Sequence, residues 1–445
     1  MPHRKIFMRA AKGPFDVASA EETHAANLIA QNSGNLVFSN AAYKILCTSQ
    51  TEITVNRMRI DLREVDMINE QYDIFVIPLA NAFRRSYHDR MVRLTEFIER
   101  LKIPVMVFGV GVQTTVDGDR ERLRPLDDMA KRFAKAVLDR SPSIGVRGEI
   151  TADYLRGLGF RDVDVIGCPS MFFHGDRLHV EKKKAALDPQ DRIAINISPY
   201  VKAMGKIVTR HHLTYPNLRY IAQDLKTLET LLWGDSVADR GKKSDIPIYT
   251  SHPLYQEDKV RFFVDPWTWM AYLSTFEFSF GTRIHGNITA LISGVPAYVF
   301  AHDSRTLELA RYFEIPHKLM RDVPPDVDAA QLYEEADYSA LNNGHKARFQ
   351  TMVDFLKKHN LDHSFADGDS AAKFDERGWK TNFPPAVRPI TSVAPPDVVE
   401  RMRWLKDSHD ELRMTLASLT RGRVARIVFG GTSELRRWWS IRRGR

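Results

Sequence analysis

At 445 residues, with 43% hydrophobic and 27% charged side chains, the sequence has the balance of a globular protein of roughly two to three domains and not that of a disordered chain. Its formal net charge of +8 sits at one end: residues 421–445 hold eight arginines and Glu434, a net +7, which leaves about +1 for the preceding 420 residues and argues against a nucleic-acid-binding body. No apolar run reaches the roughly 18 residues of a membrane span, and the opening MPHRKIFMRAAKGPFD has no apolar signal-peptide core. Cys47 and Cys168 stand at no metal or redox spacing, so a reducing cytoplasm is the expected location.

In chain order, residues 72–79 read as a buried strand. Residues 87–101 follow as an amphipathic helix, with apolar positions at 91, 94, 97, 98 and 101, and 103–109 as a second buried strand. Apolar runs separated by amphipathic helices indicate βαβ units and a parallel sheet. A helix at 126–138, a strand at 143–147, a helix at 151–157 stopped by Gly159, and a strand at 163–166 continue the pattern. The polar segment 174–190, with its Glu-Lys-Lys-Lys run, has linker character. The pattern restarts at 193–197, with short strands at 246–249, 261–264, 276–280 and 297–300 and helices at 217–233, 267–274, 285–293 and 304–313. The reading is an α/β protein of two halves, 1–180 and 190–325. An extension follows at 326–396, with a helix at 345–358 and a loop-rich stretch at 364–396. Residues 397–445 form an amphipathic helix (397–420) and a basic tail.

The chemistry concentrates at 276–300, which reads as strand, tight loop, helix, turn, strand. Gly281 lets the chain turn at the strand end, and Arg283 and His285 follow at the start of the helix. A helix N-terminus offers unpaired N–H groups and positive potential. A guanidinium adds a fork suited to phosphate or carboxylate, and an imidazole can exchange protons near neutral pH. In parallel α/β sheets, ligands bind at the carboxyl ends of strands, where this loop sits. Arg147 ends the 143–147 strand just before a helix, the same anion-receiving position.

These motifs together resemble the polysaccharide pyruvyl transferase family. The elements are Val146-Arg-Gly-Glu-Ile-Thr151, Leu155-Arg-Gly-Leu-Gly159, Gly167-Cys-Pro-Ser170, and Gly281-Thr-Arg-Ile-His285 continuing to Pro296, with Asn32-Ser-Gly-Asn35 upstream. The resemblance spans roughly 25–325. It differs from the family's usual pattern at Gly148, at Asn35 and at Leu79-Ala-Asn-Ala82, positions where Asp, Asp and a glycine-rich turn are usual. It implies a GT-B-like fold, two Rossmann-like domains facing across a cleft, with the acceptor on the N-terminal side and the donor on the C-terminal side. It also implies transfer of a pyruvyl group from phosphoenolpyruvate, as co-substrate and with no cofactor or metal, to two hydroxyls of a glycan or lipid-linked oligosaccharide. The product is a cyclic ketal in a cell-surface polysaccharide. On this resemblance Arg283 and His285 are catalytic, and Arg147, Arg283, Gly281, Ile284 and Asn35 bind substrate, His285 acting as the acid.

Two other functions stay open: a glycosyltransferase with a nucleotide-sugar donor on the same scaffold, and a non-catalytic member that binds glycan or scaffolds a complex. His302, Asp303 and Arg305 are placed to reach a ligand at the sheet edge, and His252 to lie at the cleft rim. His211 and His212 read as an exposed loop, and Trp267 and Trp269 as core. The basic tail, with Trp438 and Trp439, reads equally as an interfacial anchor on anionic lipid and as a disordered basic end or a helix docked on the body. The helix at 397–420 suits self-association or docking on the body.

Overall fold

Apolar runs too short for helices become parallel strands in two sheets. The computed structural model describes residues 3–366 and 369–421, with side chains described to 416. In the first half, β1 (Arg4–Met8), β2 (Thr51–Val55), β3 (Ile74–Pro78), β4 (Asn81–Phe83), β5 (Val105–Phe108), β6 (Gly111–Val112), β7 (Ile144–Val146) and β8 (Val163–Val165) appear in turn. The main sheet has the order β2-β1-β3-β5, with Ile6 opposite Ile53 on one side and Ile74 on the other. The β7–β8 pair continues it, because the amides of Gly109 and Val110 both donate to the Gly145 carbonyl at 3.0 Å. β4 and β6 form a small parallel pair beyond the ends of β3 and β5.

The second half contains β9 (Ile193–Asn196), β10 (Arg219–Ala222), β11 (Val260–Phe262), β12 (Phe278–Gly281), β13 (Ala297–Ala301) and β14 (His317–Leu319). All pair in parallel in the order β11-β10-β9-β12-β13-β14. Counted within this half, that is the doubly wound order 3-2-1-4-5-6 of a Rossmann sheet. The strand order reverses between β9 and β12 here, and between β1 and β3 in the first sheet. The architecture is thus the expected α/β, GT-B-like pairing of two Rossmann-type sheets.

Helices cover the sheets as their patterns require. Helix His88–Arg100 buries Met91, Leu94, Phe97 and Ile98 on one stripe, each worth about 1.5–3 kcal/mol of burial. Helix Ile284–Ile292 is buried over nearly its whole length, Asn287 and Thr289 included. Helix Gly34–Leu46, from the first half, packs on residues 169–172 and on helix Ile284–Ile292. One apolar core therefore runs from Ile6 and Phe38 through Ile193 and Phe280 to Phe355, and residues 1–391 form a single compact unit. The other unit carries helix Pro395–Arg421, which leaves Met402, Leu405, Leu412 and Met414 exposed. The arginine-rich tail beyond it, with Trp438 and Trp439, lies outside the described residues. Among the described residues no helix is long and apolar enough to cross a membrane.

Five expectations need correction. The helix expected at 217–233 begins only at Leu225, because Tyr220–Ala222 pair with β9 and β11 and Asp224 caps the helix by accepting from the Thr227 amide. Residues 246–249 bury Ile246 without joining a ladder, so they form no strand. The loop-rich 364–396 contains helix Asp369–Lys380, anchored where Asp375 takes the buried Lys44 ammonium at 2.6 and 2.7 Å. The 174–190 segment is not a free linker: Leu178 and Val180 enter the core, and Lys183 Nζ donates to the carbonyls of Ser274 and Phe276. His211 and His212 lie on helix Met204–Thr214, and His211 is fully buried against Phe280, which holds its imidazole below its usual pKa. Trp267 and Trp269 are core, as expected.

Candidate active site

A pocket of about 410 Å³ opens where the two strand-order reversals meet. It is lined from the first half by Arg9 after β1, by residues 78–81 after β3, by Asn32, Asn35, Arg84 and Arg90, and by Arg147 after β7. From the second half come Ser198 and Tyr200 after β9, Gln223 and Asp224 after β10, Arg283, Ile284 and His285 after β12, and His302 and Arg305 after β13. Ligand sites in open α/β sheets lie at such positions.

The tight loop at the end of β12 is fixed from below. Gly281 has φ +141°, and a Cβ there would stand 1.9 Å from the Asn196 carbonyl oxygen. Only glycine fits. Asn196 then holds the loop: its carbonyl accepts from the Thr282 amide at 2.9 Å and its side-chain oxygen from the Arg283 amide at 2.8 Å. Its amide nitrogen donates to Asn287 Oδ1 at 2.7 Å, and Asn287 Nδ2 returns to the Gly281 carbonyl at 3.1 Å. Gly281→Ala is expected to destabilise the protein by more than about 4 kcal/mol, as steric and left-handed strain add. Chemical denaturation of the purified variant, or its failure to accumulate as folded protein, checks this. Gly281 thus shapes the site from beneath.

This loop aims Arg283 and His285. Arg283 occupies the capping position of helix Ile284–Ile292; its Nε donates to the Ile197 carbonyl at 3.2 Å and its Nη2 to Asp224 Oδ2 at 3.4 Å. His285, in the first turn, is 8% exposed. Its Cβ lies over Gly34, where a side chain would come within 2.6 Å, and its Nε2 is 3.6 Å from the Cys168 sulfur. Burial, with Arg147 and Arg305 nearby, lowers the imidazole pKa to about 3, so it is neutral near neutral pH.

Arg147 is 2% exposed. Its Nε donates to the Gly109 carbonyl at 2.9 Å, its guanidinium lies 5.1 Å from the centre of the Phe38 ring, and its buried Nη2 has no partner among the described residues. A buried guanidinium nitrogen left unpaired is costly, and an anionic ligand is the natural partner. Ile284 lines the pocket. So does Asn35, whose amide donates to the carbonyls of Ile29 and Ala30 and so holds the loop around the left-handed Ala30 and Gln31. His252 does not line the pocket; it caps helix Pro253–Gln256.

Several lining residues were not singled out from sequence. Arg84 has a buried Nε without a partner among the described residues. The Asn81 amide, turned so that its oxygen faces them, takes Arg84 Nη1 at 3.2 Å and Arg305 Nη1 at 3.0 Å, one from each half. Arg9 bonds the Pro78 carbonyl and the Tyr87 hydroxyl. Arg305, expected at the sheet edge from the sequence, is paired with Asp303 and reaches the Tyr200 hydroxyl at 3.2 Å. In all, six arginines (9, 84, 90, 147, 283 and 305) and one carboxylate, Asp224, line the pocket. It is built for a ligand carrying several negative charges. Arg9 and Arg84 each stand just past a strand end, after β1 and β4, and neither strand shows in the sequence pattern.

The model of a family described as polysaccharide pyruvyl transferase matches residues 38–304. A comparison with curated proteins finds no match. Among solved structures, the chain is similar to the UDP-GlcNAc 2-epimerase of Methanocaldococcus jannaschii in complex with UDP-GlcNAc and UDP, at 11% identity and a TM-score of 0.40, covering 79% of this chain and 99% of that one. The UDP-GlcNAc 2-epimerase of Neisseria meningitidis aligns at 12% identity and a TM-score of 0.36, covering 84% of this chain and 99% of that one. The glycosyltransferase SnogD from Streptomyces nogalater aligns at 12% and 0.33, covering 85% and 100%.

Proposed function

The chain belongs to the polysaccharide pyruvyl transferase family, and on that premise we propose that it moves the pyruvyl group of phosphoenolpyruvate onto two hydroxyls of a glycan sugar, forming a cyclic ketal and releasing phosphate. The observation that carries this reading is the convergence of Arg147, Arg283 and Arg305, from three strand ends, on one pocket with His285. Phosphoenolpyruvate presents a phosphate and a carboxylate on one small frame, and the buried, unpaired Nη2 of Arg147 suits one of them.

The reaction then follows from charge. Protonation of the enol methylene leaves an oxocarbenium-like carbon, which one sugar hydroxyl attacks. The bond from that carbon to the phosphate oxygen breaks, and the second hydroxyl closes the ketal. The two hydroxyl protons balance the one taken by the methyl group and the one leaving with phosphate. Arginines around the phosphate stabilise the charge it gains as it departs. A bound anion beside His285 raises its pKa, so the imidazole takes up a proton only when the donor is present and then delivers it. Asn35 and the first-half arginines Arg9, Arg84 and Arg90 face the acceptor side of the same pocket.

Thermal unfolding with phosphoenolpyruvate, UDP-glucose or GDP-mannose tests the donor, with Arg283→Ala as control. A ligand at about 100 times its dissociation constant stabilises by roughly 2.7 kcal/mol. Stabilisation by phosphoenolpyruvate alone, lost in the variant, is the expected result. Stabilisation by a nucleotide sugar instead would replace the pyruvyl reading with glycosyl transfer. Donor binding without turnover on any glycan would favour a binding member.

A further inference from the structure

Helix Glu149–Gly157 starts directly after Arg147, and its capping position is Gly148, extended at φ −173° and ψ 179°. Glycine has no side chain with which to satisfy the first free N–H groups of a helix. The acceptor comes instead from the second half of the chain. The Glu308 carboxyl, 3% exposed, accepts from the Thr151 amide at 3.1 Å and from the Thr151 hydroxyl at 2.9 Å. Thr151 is the third residue of the helix, the position whose N–H a capping side chain ordinarily takes.

The surrounding glycines make room for this arrangement. A Cβ on residue 148 would stand 2.8 Å from the Glu308 Cβ and 3.1 Å from its Cγ, so a glycine at 148 lets the Glu308 side chain lie against the start of the helix. A Cβ on Gly111 would lie 3.0 Å from Arg147 Cδ and 3.2 Å from Glu308 Oε1. The arginine stem and the carboxyl therefore share the hollow that Gly111 leaves. Ser304, one turn earlier on the same helix as Glu308, ties that helix to the first half. Its hydroxyl donates to the Val112 carbonyl and accepts from the Thr114 amide, both at 2.9 Å. Burial pushes the Glu308 carboxyl up to about 8, against its bonds from Thr151 and the charge of Arg147.

We infer that Glu308 is a positioning residue for Arg147: it caps the helix that follows the arginine and walls its stem, so that an anion-binding group of the first half is set by a carboxyl of the second. The meaning of this for turnover rests on the donor assignment made above; the cap itself does not.

The test uses the full chain with Glu308→Ala, Glu308→Leu and Glu308→Gln. Hydrogen exchange is followed without ligand at the Arg147, Thr151 and Ala152 amides, and phosphoenolpyruvate binding is measured by calorimetry alongside kcat and KM. In the alanine and leucine variants these amides are expected to exchange roughly tenfold faster, as for a lost cap. The donor's Kd and KM are expected to rise by a similar factor, with kcat moving less. Glutamine keeps an oxygen that accepts both Thr151 bonds, and is expected to stay within about threefold of the wild type on every readout. Unchanged exchange in Glu308→Leu, or a glutamine variant as impaired as leucine, overturns the proposal. If the wild type binds no phosphoenolpyruvate, the donor assignment fails, and the exchange data alone decide the role of Glu308.

Discussion

Replacing Arg147 with alanine is expected to lower kcat/KM for phosphoenolpyruvate by roughly a hundred- to a thousand-fold, the loss seen when one preorganised donor to a developing anion is removed. The size of the effect follows from burial. Arg147 is 2% exposed, so no water takes over the role of its guanidinium. Its Nη2 has no partner among the described residues, so on the proposed donor assignment the ligand receives the whole of that hydrogen bond. Lysine is expected to rescue little. The present side chain is steered by its Nε bond to the Gly109 carbonyl and by the Phe38 ring, and an ammonium has neither the fork nor the plane to use them. Steady-state kinetics of the alanine and lysine variants, with the thermal shift induced by the donor, check this. Activity within threefold of the wild type in either variant would remove Arg147 from the donor site.

His285→Asn gives the second large effect. If His285 is the acid proposed above, its loss is expected to reduce kcat roughly 10²- to 10⁴-fold, with donor binding retained because the arginines remain. The same substitution should change how stability responds to acid, in a direction that can be worked out. The folded imidazole titrates near 3, against 6.5 for the ordinary group. Between those values the unfolded chain binds more protons, so stability rises with pH and is lost as pH falls from 6.5 towards 3. At one pKa unit per roughly 1.4 kcal/mol, the cost to the wild type from this one group is on the order of 3 kcal/mol on going from pH 7 to 4.5. Other buried histidines, His211 and His359 among them, add acid sensitivity to both proteins, so the difference between the two is the quantity of interest. Urea midpoints at pH 7 and 4.5 should fall less for His285→Asn than for the wild type. An equal fall would mean that His285 is charged in the folded state.

The parts of the fold legible in the sequence are those where local pattern and tertiary role agree. Strands β3 and β5 are continuous apolar runs because both faces are covered, and helix His88–Arg100 shows one clean stripe. Strands β1 and β2 were not legible. β1 carries Arg4 and Lys5 and buries only Ile6, Phe7 and Met8, while β2 is an alternating edge strand exposing Glu52 and Thr54. Without β1, Arg9 could not be recognised as a residue at a strand end. In the site, Arg283 and His285 were legible because glycine, arginine and histidine fall within five residues on one turn. Glu308 was not, because its partners lie at 148–151 and nothing near residue 308 announces a cap made for another helix. His211 failed for a related reason: among polar neighbours it looks exposed, and only the packing of its helix on β12 shows otherwise.

The shared core has a consequence for synthesis. Helix Gly34–Leu46 buries its apolar face against residues 169–172 and helix Ile284–Ile292, which the ribosome makes much later. At elongation rates of about 5–20 residues per second, the interval between residues 46 and 292 is on the order of 10–50 seconds. Throughout it Val37, Phe38, Ala41 and Ile45 lack part of their native partners, and this holds even after residue 165, when the strands of the first half have all been made. The nascent chain therefore carries an unfinished apolar surface from the synthesis of helix Gly34–Leu46 until helix Ile284–Ile292 emerges, and that window is where chaperone capture or aggregation would act.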